Sequence, residues 1–319
     1  MEGETIYDQA LTNVSVQFQQ AEFVADRVCP TVPVDDQAGY VYVYKKSQFR
    51  VRDDAWAPGS EVKESRMEMD ASKTFYCAGH ALKDKVPRGK RKIPAIDRMI
   101  DTTEQLTAQV RLNKEYDLVT RLIAGMVSGN TVDLVAVKWS NDANDPIARI
   151  EGDMLTIEAR TAKRPNVLVV NPAVLKAMRV NANVRGLLTG IANIENARVT
   201  AESLAALLGL DEVIIAGALY DTVMEGQTAS LAWVWPSATC GAVLAYRERN
   251  PGLKKISLAY TYRWRNALEE LGGPAGAAGA QYVERYYAPE IKSDWVEVFD
   301  HYDQNIVAAE AGIRYQNAV

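Results

Sequence analysis

Histidine and cysteine are scarce in this chain, two and three respectively among 319 residues. His80 and His301 stand far apart, and neither lies beside a serine or cysteine in a nucleophile motif. Cys29, Cys77 and Cys240 lack metal-ligand spacing and read as reduced thiols acting as small hydrophobes. The densest ligand-type cluster, Asp300-His301-Tyr302-Asp303, falls on a predicted strand, where successive side chains point to opposite faces. No catalytic residue, metal ligand or cofactor is therefore assigned. The phosphate-cradling GxxxxGK(S/T) is missing, and Gly272 to Ala280 has the wrong glycine spacing for a dinucleotide loop.

Nothing approaches 18 consecutive apolar residues, so neither a membrane span nor a membrane partner is expected. The first ten residues, MEGETIYDQA, lack the basic and apolar parts of a signal peptide, so folding in the cytoplasm is expected. Excess positive charge is also missing: a net charge of −5 does not suit a general nucleic-acid-binding surface. What remains is 48% hydrophobic and 24% charged, an ordinary globular balance, at a length that suits about two domains.

The clearest single element is Pro94 to Gly125, which the spacing predicts as one long helix. Ile96, Met99, Ile100, Leu106, Val110, Leu118, Leu122 and Ile123 mostly recur at three- or four-residue steps. Pro94 suits the first helical position, Asp97, Asp101 and Glu104 its positive end, and Gly125 a stop.

Residues 1–36 carry acids throughout against one base, Arg27. Val14, Val16 and Phe18 alternate with polar residues as in an extended arm, and the prolines of Asp26 to Pro33 argue against a helix there. Tyr40 to Tyr44 is a strong strand signal. It leads into Lys45 to Gly79, where charges of both signs are interspersed and apolar residues are thin. Turn chemistry at Trp56-Ala57-Pro58-Gly59-Ser60 places a hairpin tip near Pro58-Gly59. A lone hairpin is marginal in water, and its sparse apolar content favours packing on another molecule. Lys83 to Lys92 then concentrates six bases, to be read as a phosphate-contacting patch, a solvated linker or a partner for a neighbour's acids.

Beyond the long helix the pattern alternates. Strands are predicted at Leu134 to Val137, Val167 to Val170 and Val213 to Ala216. Helices are predicted after Asp145-Pro146, after Asn171-Pro172, and from Thr200 to Gly209. Arg179 to Val199 reads as loop-rich. Ile256 to Trp264 alternates as a half-buried strand, Trp295 to Phe299 is another, and Asn305 to Val319 reads as a closing strand.

This order resembles the major capsid proteins of tailed bacteriophages, a family that shares its fold with encapsulins and the herpesvirus capsid floor. The resemblance rests on LTNVSVQFQQAEFVADRVCPTVPV as the entry segment, GYVYVYKK with the later PGS as an extended loop, and the basic run with Ile96 to Ile123 as a spine helix. SDWVEVFDHYDQNIVAAEAGIRYQNAV resembles the closing strand and tail. It implies an α+β fold divided as an N-terminal arm (1–39), an extended β-hairpin loop (40–82), a peripheral domain (83–144, spine helix 94–125), an α/β axial domain (145–280) and return strands with a tail (281–319). It also implies a structural, non-enzymatic protein that closes on itself, as hexamers and pentamers, into an icosahedral virion shell around double-stranded DNA, which it touches weakly. A portal and scaffolding or decoration proteins are further implied partners.

Expected intersubunit contacts are Phe49, Arg50, Arg52, Trp56, Pro58, Glu61 and Arg66 in the loop, and Val14, Val16, Phe18 and Phe23 in the arm. Lys83, Lys85, Arg88, Lys90, Arg91 and Lys92 are the expected contacts of the basic run. Two other classes stay open: an encapsulin-type compartment, and a soluble α/β enzyme with Lys45 to Gly79 as its lid.

Overall fold

The computed structural model describes residues 6–7, 23–44, 50–65, 69–90, 92–93, 96–127, 129–192, 199–224, 227–272 and 279–319. Val14, Val16, Phe18, Phe49, Arg66 and Arg91 lie outside the described residues, as do the side chains of Lys90 and Lys92.

A helix of 28 residues, Arg98–Gly125, joins two sheets. At 1.5 Å per residue it is about 42 Å long. Its first half lays Met99, Leu106 and Val110 on Val86, Val283, Val296 and Val298 of the larger sheet. Its second half lays Leu118, Val119 and Leu122 on Val167, Val169 and Val243 of the smaller one. The helix begins at Arg98 rather than Pro94, because Lys92–Ile93 and Ile96–Asp97 pair as a tight antiparallel ribbon ahead of it.

The larger sheet is built on Ser293–Ile306, a 14-residue strand. Gln281–Ala288 pairs antiparallel with its first half on one side, and Ala78–Pro87 does so on the other. Ala259–Trp264 pairs antiparallel with its second half, and Thr31–Val34 runs parallel to Ala259–Trp264. Ile6–Tyr7 adds two residues at the edge of Gln281–Ala288.

The smaller sheet has the order Glu212–Ile215, Val167–Val170, Ala242–Ala245, Gly312–Gln316, Thr131–Asp133. Helices Pro146–Thr161, Pro172–Val180, Ala182–Ala192 and Ala201–Leu208 cover the face opposite the long helix. Coverage on both faces is why Val167–Val170 is an unbroken buried run. The predicted caps do their work: Asp145 accepts from Ile147 and Ala148, Asn171 from Ala173, and Thr200 shares a capping box with Ser203. Gly209, at φ 64°, ends the last of these helices.

Several expectations are corrected. Leu134 to Val137 is a turn, because Asp133 accepts from the N–H of Val135 and ends the short strand Thr131–Asp133. Residues 182–192 are a helix, not a loop, since the Asn181 side chain accepts from the N–H groups of Asn183 and Val184 as a cap. Ala259–Trp264 is buried on both faces, not one, because the N-terminal turn closes over it: Thr261 donates to the carbonyl of Cys29. That turn is a one-turn helix, Ala25–Val28, where the prolines had argued against any helix; Pro30 stops it without preventing it. Val24, Ala25, Val28 and Cys29 are core residues, so from Phe23 onward the chain is no free arm.

Candidate functional site

The excursion between the sheet strands has a fixed root and a bare tip. Ala38–Tyr44 and Met69–Tyr76 pair antiparallel, with a bulge between Val41 and Val43. The root is pinned: Phe75 stacks on Tyr262 with ring centres 4.7 Å apart, and Lys73 Nζ donates to the carbonyls of Ile306 and Val307 at 2.8 and 3.0 Å. Among the described residues Arg50 to Ser65 carry no strand, so the predicted two-stranded hairpin over 45–79 is not paired across that stretch. From Ala78 onward the chain belongs to the larger sheet.

Every residue from Arg50 to Ser65 is exposed. Val51 is fully exposed, Val62 80% and Trp56 57%, an unusual loss of apolar burial for three large side chains. The excursion does double back on itself, since Arg52 donates to Ser65 and Lys63 pairs with Asp53. The Trp56 indole N–H donates to the carbonyl of Ser60 across a Pro58-Gly59 turn with Gly59 at φ 93°. Asp53 is held below the usual carboxylate range by the Lys63 ammonium and the N–H of Ala55. These contacts give the tip a shape but no core. Arg50, Arg52, Trp56, Pro58 and Glu61 are thus presented together to the outside.

The basic run is placed differently from a linker. Lys83 and Lys85 lie on Ala78–Pro87 and Arg88 opens a short 3-10 turn, Arg88–Lys90. Lys83 Nζ sits 3.4 Å from Glu297 and 5.2 Å from the centre of the Trp295 ring. Hydrogen bonding to Tyr286, then the Glu297 charge, raises its pKa. Arg88 reaches Asp294 with two nitrogens, which raises its own pKa. Lys83, Lys85 and Arg88 are all exposed, and Lys83 and Arg88 face acids of their own chain. Phe23, expected as an arm contact, packs half-buried on its own core.

Among the described residues no group of three or more His, Cys, Asp or Glu side chains is arranged to hold a metal. All three cysteines are buried, and burial pushes each thiol up to about 12, away from nucleophilic thiolate chemistry. His80 stacks on Tyr302 with centres 4.3 Å apart; His301 is buried among Tyr282, Phe299 and Trp264, and burial lowers its pKa.

Sequence reasoning missed the polar seam under the long helix. Lys114 and Glu115 are buried there, Lys114 against Asp26 and Glu115 against Val24, Ala25 and Trp235. On the facing sheet, Arg263 donates to both oxygens of the buried Asp300 at 2.9 and 2.7 Å. The signal was the gap in the apolar stripe between Val110 and Leu118.

No family model matches the sequence. Along nearly its whole length, 98% of this chain and 97% of the other, it is 25% identical to the major capsid protein of Pseudomonas phage JBD67. It is 22% identical over 219 residues to that of Burkholderia phage BcepMu, covering 67% of this chain and 70% of the relative. A phage-related protein from Bordetella bronchiseptica superposes with a TM-score of 0.75 at 20% identity, covering 99% and 98% of the two chains. This is the phage major capsid fold. A structure from Microbacterium phage Oxtober96 shares it with a TM-score of 0.61 at 9% identity, over 99% of this chain and 93% of that one. So does the mature capsid of bacteriophage PhiM1, at 0.55 and 12%, over 91% and 85%. Within the capsid fold of this chain, the long helix and the two sheets form the packed body, and Arg50 to Ser65 stand off it.

Proposed function

We propose that this chain is the major capsid protein of a tailed phage, a structural subunit that assembles with copies of itself into the virion shell. The carrying observation is the pairing of a whole-length capsid relative with a projecting excursion whose Val51, Trp56 and Val62 have no cover in their own molecule. Standard interfaces bury ~1,600 Å² in total, and a subunit of a closed shell makes several. The interspersed charges of the excursion give register more than affinity.

In this reading the arm, extended loop, peripheral domain, axial domain and tail divide near residues 39, 82, 144 and 280. Hexamers and pentamers close the shell around double-stranded DNA in the host cytoplasm, with portal and scaffolding or decoration proteins as partners. Arg50, Arg52, Trp56, Pro58 and Glu61 make the loop's contacts, and the acidic balance of the chain leaves the packaged DNA loosely held. Negative-stain microscopy of the chain expressed alone or with its neighbouring genes tests the assembly. Closed shells are expected, and a persistent monomer overturns the reading. Nuclease-protected, genome-length DNA inside the particles separates a virion from a shell around protein cargo.

A further inference from the structure

One end of the smaller sheet is bordered by bases from separate parts of the chain. Val167–Val170 and Glu212–Ile215 run parallel, and Ala242–Ala245 antiparallel to Val167–Val170, so residues 162–166, 209–211 and 246–255 meet at that end. Lys163 Nζ lies 5.7 Å from the centre of the Tyr246 ring, and Arg164 Nη2 lies 3.5 Å from where a Cβ on Gly209 would stand. Arg249 reaches Asp211 with Nε at 2.9 Å and Nη2 at 2.6 Å. Lys255 Nζ donates to the carbonyl of Asn250 at 2.7 Å and sits 3.8 Å from Glu248. Arg247 and Arg27 both pair with Glu212.

Asp211, Glu212 and Glu248 are thus each held by a base, and positive charge is left over. Arg164 and Lys254 are exposed, and neither makes an ion pair among the described residues. This surplus stands on a chain whose net charge is −5.

The chemistry of the border selects its partner. A protein partner is anchored by apolar and aromatic side chains at the centre of the contact. Residues 162–164 and 249–255 expose one large apolar side chain, Leu253. They include no aromatic residue on which an unpaired base would stack. A duplex backbone asks only for cations and N–H donors.

We propose that this end of the smaller sheet is where the subunit touches duplex DNA, through phosphates and without regard to sequence. Arg164, Arg249, Lys254 and Lys255 make the contact, Arg249 with the Nη1 that Asp211 leaves free. DNA as the polyanion rests on the shell reading. A few phosphates per subunit, repeated over many copies, hold a long duplex although each contact is weak.

The test is fluorescence anisotropy of a labelled duplex with the purified full-length subunit, titrated between about 50 and 200 mM salt. Contact with about four phosphates gives a slope of log affinity against log salt near −3.6. Arg164→Glu with Lys254→Glu breaks no ion pair; it is expected to weaken binding at least ~10-fold at the low-salt end and to halve the slope. Arg50→Glu with Lys85→Glu makes the same change of charge away from the smaller sheet and is expected to bind within about 2-fold of the natural sequence. Equal losses in the two double variants would reduce the effect to net charge and overturn the proposal. So would a natural sequence that does not bind, or an Arg164→Glu, Lys254→Glu protein that binds as well as it does. Microscopy of the same proteins keeps the shell reading separate. A border variant that binds the duplex normally but no longer closes shells would give the border to a neighbouring copy's acids and overturn the proposal. A natural chain that binds through these residues yet never closes shells would support the surface and overturn the shell reading alone.

Discussion

Arg88 lies 3.6 Å over the ring of Tyr287 and reaches Asp294 with two nitrogens, closing the end of the larger sheet. Asp294 is 3% exposed, so the arginine covers a carboxylate that water barely touches. This one relationship changes the meaning of the basic run. Its conspicuous charge is partly spent inside the subunit.

Arg88→Glu is expected to lower the melting temperature, because it sets a second carboxylate against Asp294 and removes the cation from the Tyr287 face. Lys85→Glu, three residues earlier on the strand Ala78–Pro87 and exposed, is expected to leave it unchanged. Calorimetry of the two variants checks the contrast; equal behaviour would make the whole run a surface feature.

Replacing Arg50 to Ser65 by a short turn should leave a folded subunit that no longer closes shells. No residue of that stretch is buried, so its loss removes little from the core. The expected change in melting temperature is within about 2 °C, the order of what ~1 kcal/mol produces in a chain of this size. Sizing and microscopy of the deletion check it, and normal shells would refute the role given to the excursion.

The root of the excursion should be intolerant of bulk. A Cβ added at Gly39 would meet the Phe75 ring at 2.8 Å, and Phe75 is held by its stack on Tyr262. Gly39→Ala is expected to cost ~1–3 kcal/mol in urea unfolding, the usual range for overpacking.

The Arg263–Asp300 pair offers a test of the polar seam. Arg263→Met strands a buried carboxylate and is expected to cost about 3 kcal/mol, toward the low end for a buried pair since the arginine side chain is 26% exposed. Adding Asp300→Leu should recover most of that loss, which a double-mutant cycle measures.

How much of this was legible depends on the reach of each interaction. Asp145-Pro146, Asn171-Pro172 and Thr200 with Gly209 act within a turn of backbone, so their helices could be read directly. The bare excursion was legible because Pro58-Gly59 sits amid interspersed charge with little apolar content. Asn181 was a cap of the same local kind that went unread beside Arg179 and the glycines of residues 186 and 190. The seam could not be read, since Glu115 meets Val24 and Trp235 only after the chain has folded. The same holds for Lys83 against Glu297, where a sheet register decides that a run of bases is not a linker.

The account depends on Arg50 to Ser65 finding their cover on neighbouring copies. Hydrogen–deuterium exchange of this stretch, in the dissociated subunit and in the assembled particle, tests that most directly. Main-chain amides from Val51 to Val62 should exchange freely in the subunit and become strongly protected in the particle. Equal, fast exchange in both would show that assembly leaves the excursion bare, and would contradict the account.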